Sequence, residues 1–220
     1  MEGILIVNKP AGITSHDVID IIRRKFKIKK AGHAGTLDPM ATGVLVVLLG
    51  RATRLSLSFI NDDKEYVAAL FLGRSTDTQD STGKTVEEKN ISGNFPDIDA
   101  VKKTLREFSG KRWQTPPMVS AKKYKGRKLY QLARRGQTVK REPRAIEIRE
   151  IELLYFKSPE IVFRVKCTKG TYVRTLCEDI GKAMGYPAHM SALVRTASGR
   201  FTLQDAKKLE DISEKDIRPV

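Results

Sequence analysis

Gly32-His33-Ala34-Gly35-Thr36-Leu37-Asp38-Pro39-Met40-Ala41-Thr42-Gly43-Val44-Leu45 sets one carboxylate and one imidazole among three glycines, immediately before an apolar run. Glycine opens backbone conformations closed to other residues, and Pro39 fixes the chain directly after Asp38. The stretch therefore predicts a loop that presents an acid rather than burying it. An ordinary turn before a strand is the plainer alternative for Leu37 to Met40. Residues 44–49 are apolar without interruption, which predicts a strand covered on both faces. Asp38 then sits at the mouth of a buried sheet.

Working outward, residues 3–7 alternate into a short strand, and Thr14 or Ser15 can cap a helix reaching about Phe26 with Val18, Ile19, Ile22 and Phe26 on one face. Residues 66–72 form another strand, followed by a polar loop at 73–83. No register of that loop puts acids at the first, third and fifth positions with glycine at the sixth, so it is not a calcium loop. Helical periodicity returns at 98–108, a helix is expected from about 128 to 135, and residues 144–156 and 161–167 predict paired strands. The last long helix spans 172–184, and Gly185 supplies its left-handed stop. Helices and strands mix without strict alternation and without repeats. The expected class is α+β, with a mixed, largely antiparallel central sheet flanked by helices.

Composition points to a polyanionic partner. Lys and Arg number 41 against 26 Asp and Glu, a net charge of +15 on 220 residues. Residues 111–149 hold 13 of the cations and only 2 acids, the footprint of a phosphate-backbone binder. A merely solvated surface would intersperse acids. With 40% apolar residues the chain can form one domain or two closely packed subdomains. No 18-residue apolar window and no signal segment is present, so a soluble cytoplasmic protein with no membrane association is expected. Cys167 and Cys177 match neither zinc nor thioredoxin spacing and are expected as buried, reduced thiols. Neither metal nor disulfide is expected. A zinc deaminase is excluded by the absence of His-x-Glu followed by Pro-Cys-x-x-Cys.

Residues 33–45 resemble, nearly residue for residue, the signature of the TruB family of tRNA pseudouridine synthases. Further segments match along most of the chain from Ile4 to about Phe201: Asn8-Lys9-Pro10 with Gly12 and Ser15; Lys64-Glu65-Tyr66; Pro116-Pro117-Met118-Val119-Ser120-Ala121-Lys122-Lys123 with Gly126, Leu129, Tyr130 and Ala133; Lys169-Gly170-Thr171-Tyr172-Val173-Arg174-Thr175 with Leu176, Asp179, Ile180 and Gly185; and Leu193-Val194-Arg195-Thr196. The first of these also reads simply as a turn and a helix cap. A lone tyrosine at a strand start, such as Tyr66, is more often core.

The resemblance implies the pseudouridine synthase fold, with Asp38 as the catalytic acid, Tyr66 stacking on the target base and Arg174 pairing with the aspartate. An arginine fork holds a carboxylate in one orientation and favours its ionised form. Arg174 in a helix's first turn is otherwise disfavoured by the helix dipole and wants an acidic partner. The resemblance also implies substrate contacts from His33, Tyr172 and Leu193, the last closing the site with an apolar side chain. Lys122, Lys123 and Arg127 would grip RNA phosphates. His16 and His189 are expected to be structural or surface residues. The implied reaction converts a T-loop uridine, at position 55 of tRNA, to pseudouridine with no cofactor, in a monomer without an obligate protein partner. Residues 1–210 are expected to form the catalytic domain and 211–220 a short tail, without the family's usual PUA domain. The competing expectation is a non-catalytic RNA-binding or RNA-chaperone protein on the same fold.

Overall fold

Ile4, Leu5, Ile6 and Val7 are all buried, which places both faces of strand β1 (Gly3–Lys9) against other structure. Helix α1 (Ser15–Lys25) is capped by Thr14, not by Ser15. The Thr14 hydroxyl accepts the Asp17 N–H and the Asp17 carboxylate accepts the Thr14 N–H, a reciprocal cap. The structure, a computed structural model, describes all residues except 92–94, 121, 125 and 134, and of Lys123 only the backbone. The following elements are β2 (Ala31–His33), β3 (Thr42–Leu49), α2 (Ser56–Asn61), β4 (Lys64–Leu72), β5 (Arg74–Thr76), β6 (Thr85–Glu88), α3 (Ile98–Glu107) and β7 (Gly110–Gln114). After them come β8 (Lys123–Tyr124), β9 (Arg127–Lys128), α4 (Leu129–Ala133), β10 (Arg144–Lys157), β11 (Glu160–Cys167), α5 (Val173–Ala183), β12 (Ala188–Ser198), β13 (Phe201–Thr202) and β14 (Lys207–Lys208). The class is α+β, with mixed and mostly antiparallel strands, as expected.

The chain divides into two units, one of residues 1–67 and 193–220 and the other of residues 68–192. Both boundaries fall inside strands, so β4 and β12 each contribute to both units. In the first unit the strand order is β14-β1-β3-β12-β4, with β2 also on β3 and β13 on β12. β1 and β3 are antiparallel with Ile6 opposite Val46, whereas β12 runs parallel to β3 with Arg195 opposite Gly43. One face of this sheet buries Leu5, Val7, Leu45, Val47 and Leu49 under Val18, Ile19 and Ile22 of α1. The other buries Ile4, Ile6, Val44, Val46 and Leu48 against Ala52 and Phe201. Two covered faces are why residues 44–49 lack the polar alternation of a half-exposed strand.

Residues 211–220, set apart as a tail from sequence, are part of this unit. Ile212 is buried in the α1 face of the core, and Arg218 exchanges two backbone hydrogen bonds with Ile4, at 2.8 and 2.9 Å.

In the second unit the order is β12-β4-β11-β10-β7. β10 and β11 form the expected antiparallel pair, and β7 pairs antiparallel with β10, Gln114 opposite Arg144. Asp97 caps α3 by accepting the Ala100 N–H, and Gly185 ends α5 at φ +80°. The stretch 73–83 is more structured than expected: β5 pairs with β6, and the turn between them is pinned by its own side chains. β12 is absent from the sequence expectation. Its polar residues hide a buried strand, with His189, Arg195 and Ser198 all 2% exposed or less. Cys167 and Cys177 are both buried and not joined in a disulfide, and burial pushes the Cys177 thiol well above its usual range.

Candidate active site

In the first unit, Asp38 is half-buried on the loop between β2 and β3, and the residues on either side of it are held from below. Leu37 gives its N–H to the Ser15 hydroxyl (2.9 Å) and its carbonyl accepts that hydroxyl's proton (3.1 Å). The Pro39 carbonyl accepts the Gly12 N–H and the Lys9 ammonium. Lys9 is fully buried, and its Nζ also donates to the carbonyls of Pro10 and Ile13, both at 2.7 Å. Burial pushes its pKa down to about 8, opposed by the negative charge of Asp38 and assisted by the positive charge of Arg195. Motif residues that could pass as a turn and cap are thus the floor under Asp38.

Arg195 is the second clamp, a role that nothing in its sequence segment signals beside the apolar Leu193. It is 1% exposed and donates to the carbonyls of Val44 (2.6 Å), Gly35 (3.2 Å) and Thr36 (3.5 Å), tying both ends of the loop together. Gly43 makes this approach possible. At φ +102° a Cβ there would lie 2.2 Å from the Arg195 carbonyl oxygen, so no other residue fits. The signal available in the sequence is the glycine at the start of an otherwise apolar strand. Tyr66, at 9% exposure, and Leu193, at 7%, are buried in this same unit, and His33 ends β2 half-buried. Lys64, beside Tyr66, caps α2 through the carbonyls of Phe59, Ile60 and Asp62.

In the second unit, Arg174 occupies the first turn of α5 at 4% exposure. Its guanidinium lies 3.7 Å from the Asp80 carboxylate and donates to the Val119 carbonyl at 2.6 Å and the Thr78 carbonyl at 3.4 Å. Asp80 is itself 4% exposed, and its Oδ1 accepts from the Thr78 hydroxyl and from the Thr82 N–H and hydroxyl. Gln79 reinforces the same turn: its Oε1 accepts the Thr175 hydroxyl and its Nε2 donates to Glu178, both on α5. The loop at 73–83, which in sequence is only a failed calcium site, is built to hold Arg174.

Tyr172 immediately precedes α5, with the guanidinium of Arg144 4.7 Å from its ring centroid and that of Arg174 at 5.9 Å. Lys122 and Arg127 are exposed next to the β8–β9 hairpin, and Arg127 lines a cavity of about 410 Å³ with Gln131, Leu132 and Arg135. The side chain of Lys123 lies outside the described residues. Not every cation of the basic segment faces solvent: Arg112 packs on the Phe108 ring at 4.0 Å and Arg141 donates to the Pro116 carbonyl. His189 is buried and hydrogen-bonds the Arg74 carbonyl, whereas His16 is exposed. Among the described residues no His, Cys, Asp and Glu side chains cluster as metal ligands, and no helix is long and apolar enough to cross a membrane.

The sequence model of the TruB family pseudouridylate synthase N-terminal domain matches residues 23–173, and that of the tRNA pseudouridylate synthase B C-terminal domain matches residues 174–217. The chain belongs to the TruB family. Two TruB relatives, both called tRNA pseudouridine synthase B, come from Pelotomaculum thermopropionicum and Opitutus terrae. The first is 48% identical, covering 96% of this chain and 68% of the relative; the second is 46% identical, covering 96% and 87%. Among solved structures, a chain of a Cbf5-Nop10-Gar1 complex is similar with a TM-score of 0.77 and 33% identity over 99% of this chain. A chain of an archaeal box H/ACA sRNP Nop10-Cbf5 complex matches with a TM-score of 0.69 and 32% identity over 95%. This chain spans 60% and 52% of those two solved chains.

Proposed function

We propose that this TruB-family enzyme isomerises the T-loop uridine of tRNA to pseudouridine, with Asp38 as the catalytic acid. The observation that carries this reading is the double anchoring of Leu37 and Pro39, which fixes the backbone on both sides of a carboxylate that itself stays half-exposed. Rigid presentation of one reacting group is what positional catalysis requires. Both TruB relatives are named for tRNA, and the surplus of cations on residues 111–149 suits an RNA ligand.

In the reaction the N1 to C1′ bond breaks, the uracil turns, and a C5 to C1′ bond forms. The C5 proton is lost and N1 gains one, so atoms balance within the nucleotide and no cofactor is required. An ionised Asp38 serves either route into this sequence: attack on the nucleotide, or removal of a sugar proton to start a glycal path. The base must leave the loop stack first, at a cost of a few kcal/mol, and aromatic stacking on Tyr66 offsets part of it. Arg174, oriented by Asp80, is the cation that complements Asp38, while His33, Tyr172 and Leu193 contact the nucleotide. Lys122, Lys123 and Arg127 hold phosphates.

The test is incubation with an unmodified tRNA transcript, followed by mapping of carbodiimide-resistant stops in reverse transcription. Asp38→Asn should abolish the T-loop stop while leaving RNA affinity within about twofold. A variant that retains turnover within about tenfold of wild type would remove Asp38 from the chemistry. A wild-type chain that binds tRNA and makes no stop would instead support the non-catalytic RNA-binding alternative.

A further inference from the structure

Gln114 and Arg144 stand directly opposite each other on β7 and β10, and both turn to Tyr172. Gln114 is buried, donates from Nε2 to the Tyr172 carbonyl at 3.0 Å, and accepts the Tyr172 N–H at 2.8 Å. The grip has two points and acts on backbone, so it fixes both the position and the peptide-plane angle of this residue. Tyr172 is the N-cap of α5 and makes no side-chain cap of its own, which leaves Gln114 to anchor the helix start.

Arg144 fixes the other half of the residue. Its guanidinium lies over the ring that Arg174 flanks, so one aromatic ring touches two cations. Gly170 makes room for it: at φ +80° a Cβ there would stand 2.8 to 3.0 Å from three guanidinium atoms. Among the described residues Arg144 forms no ion pair, and its buried Nε makes no hydrogen bond.

We infer that Gln114 and Arg144 are positioning residues, holding the backbone and ring of Tyr172 and, through the shared ring, the plane of the Arg174 guanidinium. This rests on Tyr172 meeting the substrate, as proposed above. Arg144→Met keeps the stem and removes the fork. It should lower the single-turnover rate on the order of tenfold, with the tRNA dissociation constant and its salt dependence unchanged. Arg144→Lys should rescue poorly, because an ammonium cannot lie flat on a ring. In a Tyr172→Ala background Arg144→Met should have no further effect. Additive losses would overturn the inference, and so would a weaker dissociation constant with a shallower salt slope, which would make Arg144 a phosphate contact.

Gln114→Met gives a readout that needs no activity. It should speed hydrogen exchange at the Tyr172 amide by at least roughly tenfold without moving the urea midpoint of global unfolding enough to explain it. Unchanged exchange would refute the grip. If wild type converts no uridine but Gln114→Met still frees that amide, the proposed reaction fails and the hold on Tyr172 stands.

Discussion

Replacing Lys9 by methionine removes an ammonium that folding takes wholly out of water, and the consequence is readable as a pH dependence of stability. The Lys9 pKa falls from 10.5 to about 8 on folding, chiefly through burial, so the folded chain holds this proton less tightly than the unfolded one. At 1.36 kcal/mol per unit the shift corresponds to about 3 kcal/mol. The sign follows from proton counting: between about pH 8 and 10.5 the unfolded state binds more protons, so stability rises with pH, and below about pH 8 the penalty is fully present. Lys9→Met has no proton to lose. Urea unfolding of both proteins at several pH values from about 7 to 10.5, subtracted pairwise, cancels every group they share. Wild type should gain on the variant by up to about 1.4 kcal/mol per pH unit across that window. A difference that is flat, or that shrinks as pH rises, would show that the three carbonyls and Asp38 fully compensate the buried charge.

Ser15→Ala deletes the hydroxyl bonded to both the N–H and the carbonyl of Leu37, and should cost about 1–3 kcal/mol in urea melts while lowering turnover more than tRNA affinity. Asp80→Asn removes the carboxylate 3.7 Å from the buried Arg174 guanidinium; a drop of about 3 kcal/mol in stability is expected, and a variant as stable as wild type would show that the remaining partners of Arg174 suffice. Neutralising Lys122 and Arg127 together should flatten the log–log salt dependence of tRNA binding by about 0.7 for each phosphate no longer neutralised, and an unchanged slope would make that hairpin a solvated surface.

Elements with a strong local cause were legible in the chain. α1 has a cap and an apolar stripe, β3 an unbroken apolar run, and α5 a terminal glycine, and each stands within a few residues of its expected place. β12 was not, because its buried polar residues find their partners elsewhere: His189 on the Arg74 carbonyl, Arg195 on the Asp38 loop. Likewise Asp38 and Arg174 stood out through their motifs, whereas Lys9, Arg195, Asp80, Gln114 and Arg144 act by reaching residues far away in sequence. A buried cation bonded to carbonyls has no signature in composition, where it counts with the exposed ones. The 13 cations of residues 111–149 include Arg112, Arg141 and Arg144, all engaged with the protein itself.

The reach of Arg195 also sets an order of events in synthesis. Its carbonyl partners precede it by 151 to 160 residues, so a growing chain carries Asp38 through the synthesis of that whole stretch without the clamp that ties the loop's ends. At about 5–20 residues per second that interval lasts on the order of ten seconds. During it the early strands can pair, since β1 and β3 are close in sequence, but the loop between β2 and β3 has its Ser15, Gly12 and Lys9 anchors without the tie that Arg195 adds. A nascent chain is therefore unable to clamp the Asp38 loop until Arg195 has been made, and this loop matures later than the strands that flank it.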